Sequence, residues 1–423
     1  IAGPTAVIAN PLIVDETSIL DGFSVVSGNA DGLPPGIGGT IFDNRGGGIY
    51  VKNSSPKLVN LLVRNNSADD WGGGLFNDQG APILSRSILV KNSAGRGGGM
   101  ASYEGRPVVE DSSIRDNDAI YGGGLYYEAA QLGSTSGVTI DGSQFILNRG
   151  DDKGGGIALR YGSHRVVDSQ FRSNSTEVGV HPADRITGVY NDGGGIWLHH
   201  GQLDLLQSVL WGNDADDNGG GLFAEGSSSN VSVVGTTVSR NIARRTDNAS
   251  DDSGAGLYAE HGQLLVDTSV VAGNQAYFGN ELGYWGMDLR RPGGYHARDY
   301  VEICGDPDTT TVIVRNSCIG TLFWHAGSGN VDADPGYWTD GETEWGEERT
   351  SGPFNNDEVG ELRLKNGAAC IDMGDNYADF EPSMPGYQRA PDTDITGAPR
   401  TVDGNADGEA IIDMGAYERQ TEN

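Results

Sequence analysis

The sequence has few lysines and no long apolar run. Only five of its 423 residues are lysine, which makes a poor surface for holding an anionic polymer. No apolar stretch approaches the roughly 18 residues that a transmembrane helix requires, and the first residues show no basic segment followed by an apolar one. No stretch shows a helical period of 3.6 residues. The sequence therefore predicts a chain without a membrane span and without amphipathic helices.

The chain is acidic and rich in glycine. It contains 59 Asp plus Glu against 28 Lys plus Arg, a formal net charge of -31, and 67 Gly. This charge repels nucleic acid and anionic membrane surfaces, so we expect no nucleic-acid partner and favour divalent cations or basic surfaces. Because the sequence begins at Ile1, we interpret it as a mature product exported to the extracellular space or cell surface; a truncation would look the same.

A Gly triplet followed by an aliphatic residue recurs along the chain. The copies start 26, 25, 25, 32, 39, 26 and 35 residues apart, so the minimal repeat is about 25 residues and three intervals carry insertions. The last copy is degenerate, with Ala255 inside the triplet. The copies are Gly46–Ile49, Gly72–Leu75, Gly97–Met100, Gly122–Leu125, Gly154–Ile157, Gly193–Ile196, Gly219–Leu222 and Gly254–Leu257.

A second motif, an aliphatic or aromatic residue three positions before an Asn, alternates with the triplets. Both series keep the same order throughout, which is typical of a solenoid of stacked coils. The pairs are Val63/Asn66, Leu89/Asn92, Ile114/Asn117, Phe145/Asn148, Phe171/Asn174, Leu210/Asn213, Val238/Asn241 and Val271/Asn274.

These repeats predict an all-β fold, a right-handed parallel β-helix with a loop-rich C-terminal region. Equivalent residues of neighbouring coils then stack about 4.8 Å apart. An Asn column satisfies buried turn amides, a Gly column permits a positive φ or close backbone approach, and the aliphatic residue after each triplet fills the interior. We assign residues 1–330 to the β-helix and 331–423 to a C-terminal region that packs on it or continues it.

The motifs resemble those of known families. Over residues 18–280 the GGG[ILM] and FxxN repeats are similar to the GGA[ILV] and FxxN repeats of chlamydial polymorphic outer membrane proteins and of the wider pectin-lyase-like β-helix group. The C-terminal region resembles the choice-of-anchor Q domain, which usually precedes a sorting or anchoring signal, and this implies a surface protein. The residues that carry the second resemblance are Asp332–Pro335, Leu362–Leu364, Ile371–Gly374, Asp394–Arg400 and Asp413–Glu418.

The three cysteines leave the disulfide state open. Cys304 and Cys318 close a 14-residue loop if they pair, and Cys370 is then left over. Such a disulfide agrees with an exported protein. The alternative is three isolated thiols.

Calcium is the cofactor that the sequence indicates. The segment Asp403–Gly408 spaces oxygen ligands as calcium loops do, which gives Asp403, Asn405, Asp407 and Asp413 as candidate ligands. The alternative is an Asx-rich turn stabilised by its own backbone. A second candidate is the acidic edge ahead of the Gly triplets, at Asp69/Asp70, Asp151/Asp152, Asp216/Asp217 and Asp251/Asp252.

The residue after each inward aliphatic residue should point outward by strand alternation. This position predicts an aromatic stripe that stacks sugar rings or a protein partner, or simply stabilises the solenoid. Its candidate ligand-binding residues are Tyr50, Phe76, Tyr126, Trp197, Phe223 and Tyr258. A second outward column two residues further along is Lys52, Asp78, Tyr103, Glu128, Arg160, His199, Glu225 and Glu260.

An enzyme of this fold would be a polysaccharide lyase or a glycoside hydrolase. A lyase needs a base and cations that neutralise a uronate carboxylate, and a hydrolase needs a pair of carboxylates. The richest titratable cluster lies near the middle of the chain, but it matches no catalytic signature. Its members are Arg160, His164, Arg165, His181, Arg185, Tyr190, His199 and His200. We therefore favour a structural or adhesive surface protein that binds itself, another surface protein or a polysaccharide, and keep an enzyme acting on an acidic glycan as the alternative.

Overall fold

The computed structural model describes residues 6–9, 14–32, 44–176, 191–245, 254–278, 303–305, 310–319, 330–332, 394–399, 401–402 and 411–416. Four parallel sheets run through the described coils, and each complete coil contributes one strand to each sheet in turn. A separate antiparallel pair joins Thr401–Val402 to Ile411–Ile412. The predicted all-β parallel β-helix is confirmed.

The first sheet contains the strands that begin directly after the Gly triplets, and the second sheet contains the strands that come next along each coil. The strands of the first sheet are Ala6–Ala9, Ile49–Lys52, Leu75–Asp78, Met100–Tyr103, Leu125–Glu128, Ile157–Arg160, Ile196–His199, Leu222–Glu225, Leu257–Ala259 and Ile303–Gly305. The strands of the second sheet are Ile19–Asp21, Lys57–Val59, Ile83–Ser85, Val108–Glu110, Thr139–Asp141, Ser163–Val167, Gln202–Leu206, Asn230–Val234, Gly262–Asp267 and Thr310–Arg315.

The third and fourth sheets flank the Asn corner. The strands of the third sheet are Ser24–Val26, Leu62–Arg64, Ile88–Val90, Ser113–Arg115, Gln144–Ile146, Gln170–Arg172, Val209–Trp211, Thr237–Ser239, Val270–Ala272, Cys318–Ile319 and Val331–Asp332. The strands of the fourth sheet are Asn29–Ala30, Ser67–Ala68, Ser93–Arg96, Asp118–Tyr121, Arg149–Lys153, Ser175–Thr176, Asp214–Ala215, Ile242–Arg245 and Gln275–Phe278.

The interior is one continuous apolar core that runs along the solenoid axis. The aliphatic residue after each triplet is 0–1% exposed and belongs to this core. The apolar residue of the second motif joins it from the third sheet, and Phe145 stacks on Phe171 with ring centroids 4.9 Å apart. Successive coils therefore bury equivalent side chains against one another, as the sequence predicts.

The Asn column forms an uninterrupted hydrogen-bond ladder from Asn66 to Asn274. The Oδ1 atom of Asn92 accepts from both the backbone N–H and the Nδ2 atom of Asn66, and its own Nδ2 donates to Asn117 Oδ1 at 3.0 Å and to the Val63 carbonyl. The same pattern repeats from Asn117 to Asn241. Each Asn side chain thus supplies hydrogen-bond partners to buried backbone groups at the corner, where the strand pairing is interrupted.

A second ladder, made of hydroxyl groups, lies at the corner between the second and third sheets. Ser87 Oγ accepts from the Leu61 N–H and donates to the Ser85 carbonyl, and the Ser87 N–H donates in turn to Ser112 Oγ. The hydroxyls of this ladder belong to Ser87, Ser112, Ser143, Ser169, Ser208, Thr236, Ser269 and Ser317. Sequence reasoning missed this column, although its members stand two residues before the apolar residue of the second motif.

The Gly triplets meet two separate steric requirements. The first Gly has a positive φ, for example 64° at Gly122, which L side chains rarely adopt. The second Gly lies against neighbouring backbone, because a Cβ atom on Gly98 would stand 2.3 Å from the Asp118 carbonyl oxygen and 2.7 Å from that of Gly123. Both roles predicted for the Gly column are therefore present.

The end of the chain packs against the third sheet. The Gly415 N–H donates to the Thr268 carbonyl, and the Ala416 N–H donates to Thr237 Oγ1 at 3.0 Å. Ile395 N–H bonds to the Ala416 carbonyl, which links two parts of the C-terminal region. Met414 and Ala416 are buried.

Candidate ligand-binding face

The outer surface of the first sheet, here called the outer face, contains the predicted aromatic column. In register, Tyr50 pairs with Phe76 and Trp197 pairs with Phe223. These residues form an apolar cluster separate from the core, so their side chains lie on the other side of the sheet. The cluster comprises Tyr50, Trp71, Phe76, Ala101, Tyr126, Ala158, Trp197 and Phe223, with Tyr258 packed at its edge.

The aromatic column is not open to solvent. Phe76, Phe223 and Trp197 are 0%, 2% and 5% exposed, and Tyr50 and Tyr126 are also buried, whereas Tyr258 is partly exposed. The column also stacks on itself, since the rings of Phe223 and Tyr258 lie 5.2 Å apart and nearly parallel. Most of these rings are therefore not open for a sugar ring to stack on directly, because they contact each other and flanking side chains. Their predicted role in ligand binding stays a prediction.

The residues immediately before the Gly triplets cover part of this column, and sequence reasoning overlooked them. Arg45 lies over Phe76, Arg96 lies over Trp71 at 5.2 Å from the ring centroid, and Lys153 lies over Phe223. Each such contact adds a cation–π attraction. The sequence contained the information needed to find them, because each of these residues stands one position before a Gly triplet. In the structure this position pairs with its equivalent in the next coil.

Asp70 joins the first two of these cations. It forms ion pairs with Arg45 at 3.4 Å and with Arg96 at 2.5 Å. Asp151 likewise pairs with Arg149 at 2.9 Å. These members of the predicted acidic edge thus have cationic side-chain partners, whereas Asp251 and Asp252 lie outside the described residues.

Four titratable side chains meet near the C-terminal part of the outer face. The His199 Nδ1 atom lies 3.6 Å from Glu225 Oε1, and Lys153 forms an ion pair with Asp192. Asp192 also accepts hydrogen bonds from the N–H and Nδ2 of Asn218. Lys153 and Asp192 are almost enclosed, whereas the side chains of His199 and Glu225 remain 28% and 26% exposed.

The surroundings shift the pKa values of this group in opposite directions. Burial raises the pKa of Glu225 to about 7; Lys153 opposes the shift, while Asp192 and Glu260 add to it. Burial lowers the pKa of His199 to about 4, helped by the nearby His200, Arg160 and Lys153. At neutral pH, His199 is therefore a neutral imidazole, and Glu225 is present as both acid and carboxylate. A carboxyl group poised in this way can exchange a proton with a ligand.

The predicted catalytic cluster is only partly assembled among the described residues. Arg160 and His199 are register partners on the outer face, and the His200 ring lies 4.5 Å from that of His199. The Arg160 Nη1 atom stands 3.3 Å from Glu128 Oε1. His181, Arg185 and Tyr190 lie outside the described residues.

His164 does not lie on the outer face, contrary to its inclusion in that cluster. It is 2% exposed and packs edge-on against Tyr127 inside the solenoid. Its Nδ1 accepts from the Val138 N–H, and its Nε2 contacts the Tyr161 carbonyl at 2.7 Å. Burial lowers the His164 pKa to about 4, so this histidine is a neutral structural group. Arg165 lies on the second sheet, in register with Asp204.

The predicted calcium loop falls largely outside the described residues. This applies to Asp403, Asn405 and Asp407, whereas Asp413 is described and is fully buried. Within the described ranges, no group of three or more His, Cys, Asp or Glu side chains is arranged to hold a metal ion. The calcium site stays a prediction.

Stacked parallel coils, a single-file core and ladders at the corners define the class of protein as a parallel β-helix solenoid. The chain belongs to the right-handed β-helix family, because residues 27–238 match the family model described as the right handed beta helix region. No curated protein matches the sequence. No helix in the described ranges is long and apolar enough to cross a membrane.

Proposed function

We propose that the protein is a secreted or cell-surface structural β-helix that assembles with itself or coats a partner, with support from calcium. The observation that carries this proposal is the uninterrupted Asn ladder, which couples the coils from Asn66 to Asn274. Coils joined in this way make a rigid rod, because each one holds the backbone of the next. The aromatic column on the outer face adds stiffness rather than an open platform.

The strand edges and the charge support assembly at the ends of the rod. In each of the four sheets, the first described strand has one neighbouring strand among the described residues, and edges of this kind pair with further strands unless they are covered. Unlike ends that dock repeatedly give a filament. The net charge of -31 opposes side-by-side aggregation. The resemblance to polymorphic outer membrane proteins and to the choice-of-anchor Q domain agrees with a surface location.

We expect the purified chain to form oligomers or filaments, and calcium to increase them. Light scattering after size exclusion and negative-stain microscopy, each with calcium or with EDTA, measure this directly. Asp407→Ala should reproduce the effect of EDTA if the Asp403 loop binds the ion. A monomer at high concentration in both conditions would exclude self-assembly.

A second candidate, an enzyme acting on an acidic glycan, is favoured by the Glu225 and His199 pair. A carboxyl group with a pKa of about 7 next to a neutral imidazole suits general acid–base catalysis of glycan cleavage. Arg160, whose side chain is 40% exposed, would offset the charge of a uronate carboxylate. The proposed substrate is the one expected from the sequence, an acidic polysaccharide such as alginate or pectate.

On this second candidate function, Glu225→Gln should lower the rate of glycan cleavage by roughly 100-fold or more, because the variant cannot donate or accept the proton. Glu128→Gln, in the same column of the outer face, is the matched control and should keep most of the activity. A rate that depends on the acid form of Glu225 should fall as the pH rises through about 7. Ultraviolet absorbance detects the unsaturated product of a lyase, and a reducing-end assay detects the product of a hydrolase. Equal activity in the two variants would exclude Glu225 as the catalytic group.

A further inference from the structure

A lysine and a carboxylate are enclosed together on the outer face. Lys153 and Asp192 each stand one position before a Gly triplet and pair in register between neighbouring coils. The Lys153 Nζ atom contacts Asp192 Oδ2, and the two side chains are 14% and 3% exposed. The Lys52–Asp78 pair on the same face is more open, with 31% and 15% exposure and 3.9 Å between its charged atoms. The first pair is thus the more enclosed of these two contacts between an amine and a carboxylate.

Glu225 joins this pair from the next coil. Phe223 and Glu225 are two positions apart on one strand, so their side chains lie on the same side of the sheet. The Lys153 Nζ atom stands 5.9 Å from the centroid of the Phe223 ring. Burial raises the pKa of Glu225 to about 7, Lys153 opposes this shift, and Asp192 adds to it. The acid form of Glu225 is therefore present beside the amine and the carboxylate at neutral pH.

The two oxygens of Asp192 have different partners. Oδ1 accepts hydrogen bonds from the Asn218 N–H at 3.0 Å and from Asn218 Nδ2 at 3.1 Å. Oδ2 is the oxygen that contacts the Lys153 amine. Two donors at this distance match an oxyanion hole, which stabilises a carbonyl oxygen when an attacking nucleophile gives it negative charge. Oδ1 is therefore the oxygen that is held in place, and Oδ2 is the oxygen that can leave.

We propose that Lys153 and Asp192 condense into an isopeptide bond, with Glu225 as the group that moves the protons. This inference goes beyond both proposed functions, because it is a reaction of the chain with itself and needs no second molecule. The bond joins two neighbouring coils covalently. It spans the 39-residue interval between the triplets at Gly154 and Gly193, the longest between successive triplets. A cross-link across this interval limits how far the two coils can separate.

The reaction conserves atoms and protons. Lys153 first passes one proton to Asp192 Oδ2, which converts the ion pair into a neutral amine and a neutral carboxylic acid. The Nζ atom then attacks the Asp192 Cγ atom, and the carbonyl electrons move to Oδ1, which the Asn218 donors stabilise. Glu225 gives its proton to Oδ2, which leaves as water, and takes a proton from the new amide nitrogen. The products are one amide, one water and the original acid form of Glu225.

The enclosure of the group favours this condensation. Burial lowers the pKa of Lys153, but Asp192, Glu225 and Asp152 raise it by more, so the amine depends on Asp192 to take its proton. An amide removes two opposite charges that are costly to keep away from water. The fixed contact between the two groups also replaces a bimolecular encounter, which gives the amine a high effective concentration at the carboxyl carbon.

The mass of the purified protein, measured after reduction of its cysteines, tests the proposal. We expect a mass about 18 Da below that of the sequence, because one water is lost. Trypsin should fail to cleave after Lys153 and should leave residues 150–160 joined to residues 186–240, whereas cleavage after Lys52 should be normal. A mass equal to that of the sequence would overturn the proposal and leave both proposed functions standing. A water lost within a single peptide, as in a succinimide at Asp192, would overturn it as well.

Two substitutions separate the bond from the ion pair, and both are measured without any glycan present. Lys153→Arg keeps a cation beside Asp192 but has no amine to form the amide, so its mass should equal that of its own sequence. Glu225→Gln cannot move the protons, so its cross-linked fraction at a fixed time should fall by roughly tenfold or more. Lys52→Arg is the matched control and should keep the full cross-link. Loss of water in Lys153→Arg, or complete cross-linking in Glu225→Gln, would contradict the proposal.

Discussion

Replacing Asn92 by alanine is expected to lower the free energy of unfolding by roughly 3–5 kcal/mol, because the buried groups around it lose their hydrogen-bond partners. The Asn66 N–H loses its acceptor, and the Val63 carbonyl loses a donor. The amide-to-amide bonds on either side are lost as well. Denaturant unfolding followed by circular dichroism measures the change.

Asn65→Ala is the control for this substitution. Asn65 lies one coil earlier beside the same corner, is exposed, and has a φ of 54°. Alanine there costs only the strain of the left-handed conformation, about 1 kcal/mol. Equal losses in the two variants would show that the corner conformation, rather than the ladder, stabilises the coil.

Gly98→Ala is expected to be the other severe substitution, with a loss of roughly 3–5 kcal/mol or failure to fold. The added Cβ would meet two backbone carbonyl oxygens, those of Asp118 and Gly123, at 2.3 and 2.7 Å. Neither oxygen can rotate away, because both belong to the backbone of the neighbouring coil. The transition midpoint in denaturant and the yield of folded protein report the effect.

Gly133→Ala separates this steric effect from backbone strain. Gly133 has a φ of 79°, but a Cβ atom there would meet no atom within 4 Å. Its replacement should cost about 1–2 kcal/mol from conformation alone. A Gly98→Ala variant as stable as Gly133→Ala would mean that the coils separate easily enough to admit a methyl group.

The architecture of the solenoid was predictable from the sequence because each coil repeats the same local requirements. The Gly triplet, the inward aliphatic residue and the Asn each stack on their equivalents, so their periodic spacing marks the structure directly. The ladder of hydroxyl groups is also periodic, but Ser is so common in the sequence that this column was overlooked. Its signature, a hydroxyl residue two positions before Leu89, Ile114 or Phe145, is clear once the register is known.

The outer face was predicted less completely because orientation does not determine exposure. Strand alternation correctly placed Trp197 on the side of the sheet away from the core. It could not show that flanking side chains such as Lys153 cover the aromatic rings. His164 was misplaced because its cluster was chosen by residue type. Its strand, Ser163–Val167, alternates so that His164 and Val166 point inward, in register with Leu203 and Leu205.

The pairing of Glu225 with His199 required the three-dimensional register. The two residues are 26 positions apart and become neighbours only because their coils stack. Both belong to one predicted outward column, yet nothing in the residue pattern distinguishes Glu225 from Glu128. The raised pKa of Glu225 depends first on burial and then on charge repulsion from Asp192 and Glu260, which come from other coils.

The Asn ladder also bears on how proteins of this kind change length during evolution. Asn174 and Asn213 are 39 residues apart, yet they make the same bonds as Asn92 and Asn117, which are 25 residues apart. From Asn66 to Asn241, each coil thus offers the same donors to the coil after it, which offers the same acceptor in return. Gene segments that encode one coil can be duplicated or lost without creating an unmatched junction, and extra residues accumulate at corners while the stacked backbone keeps its register.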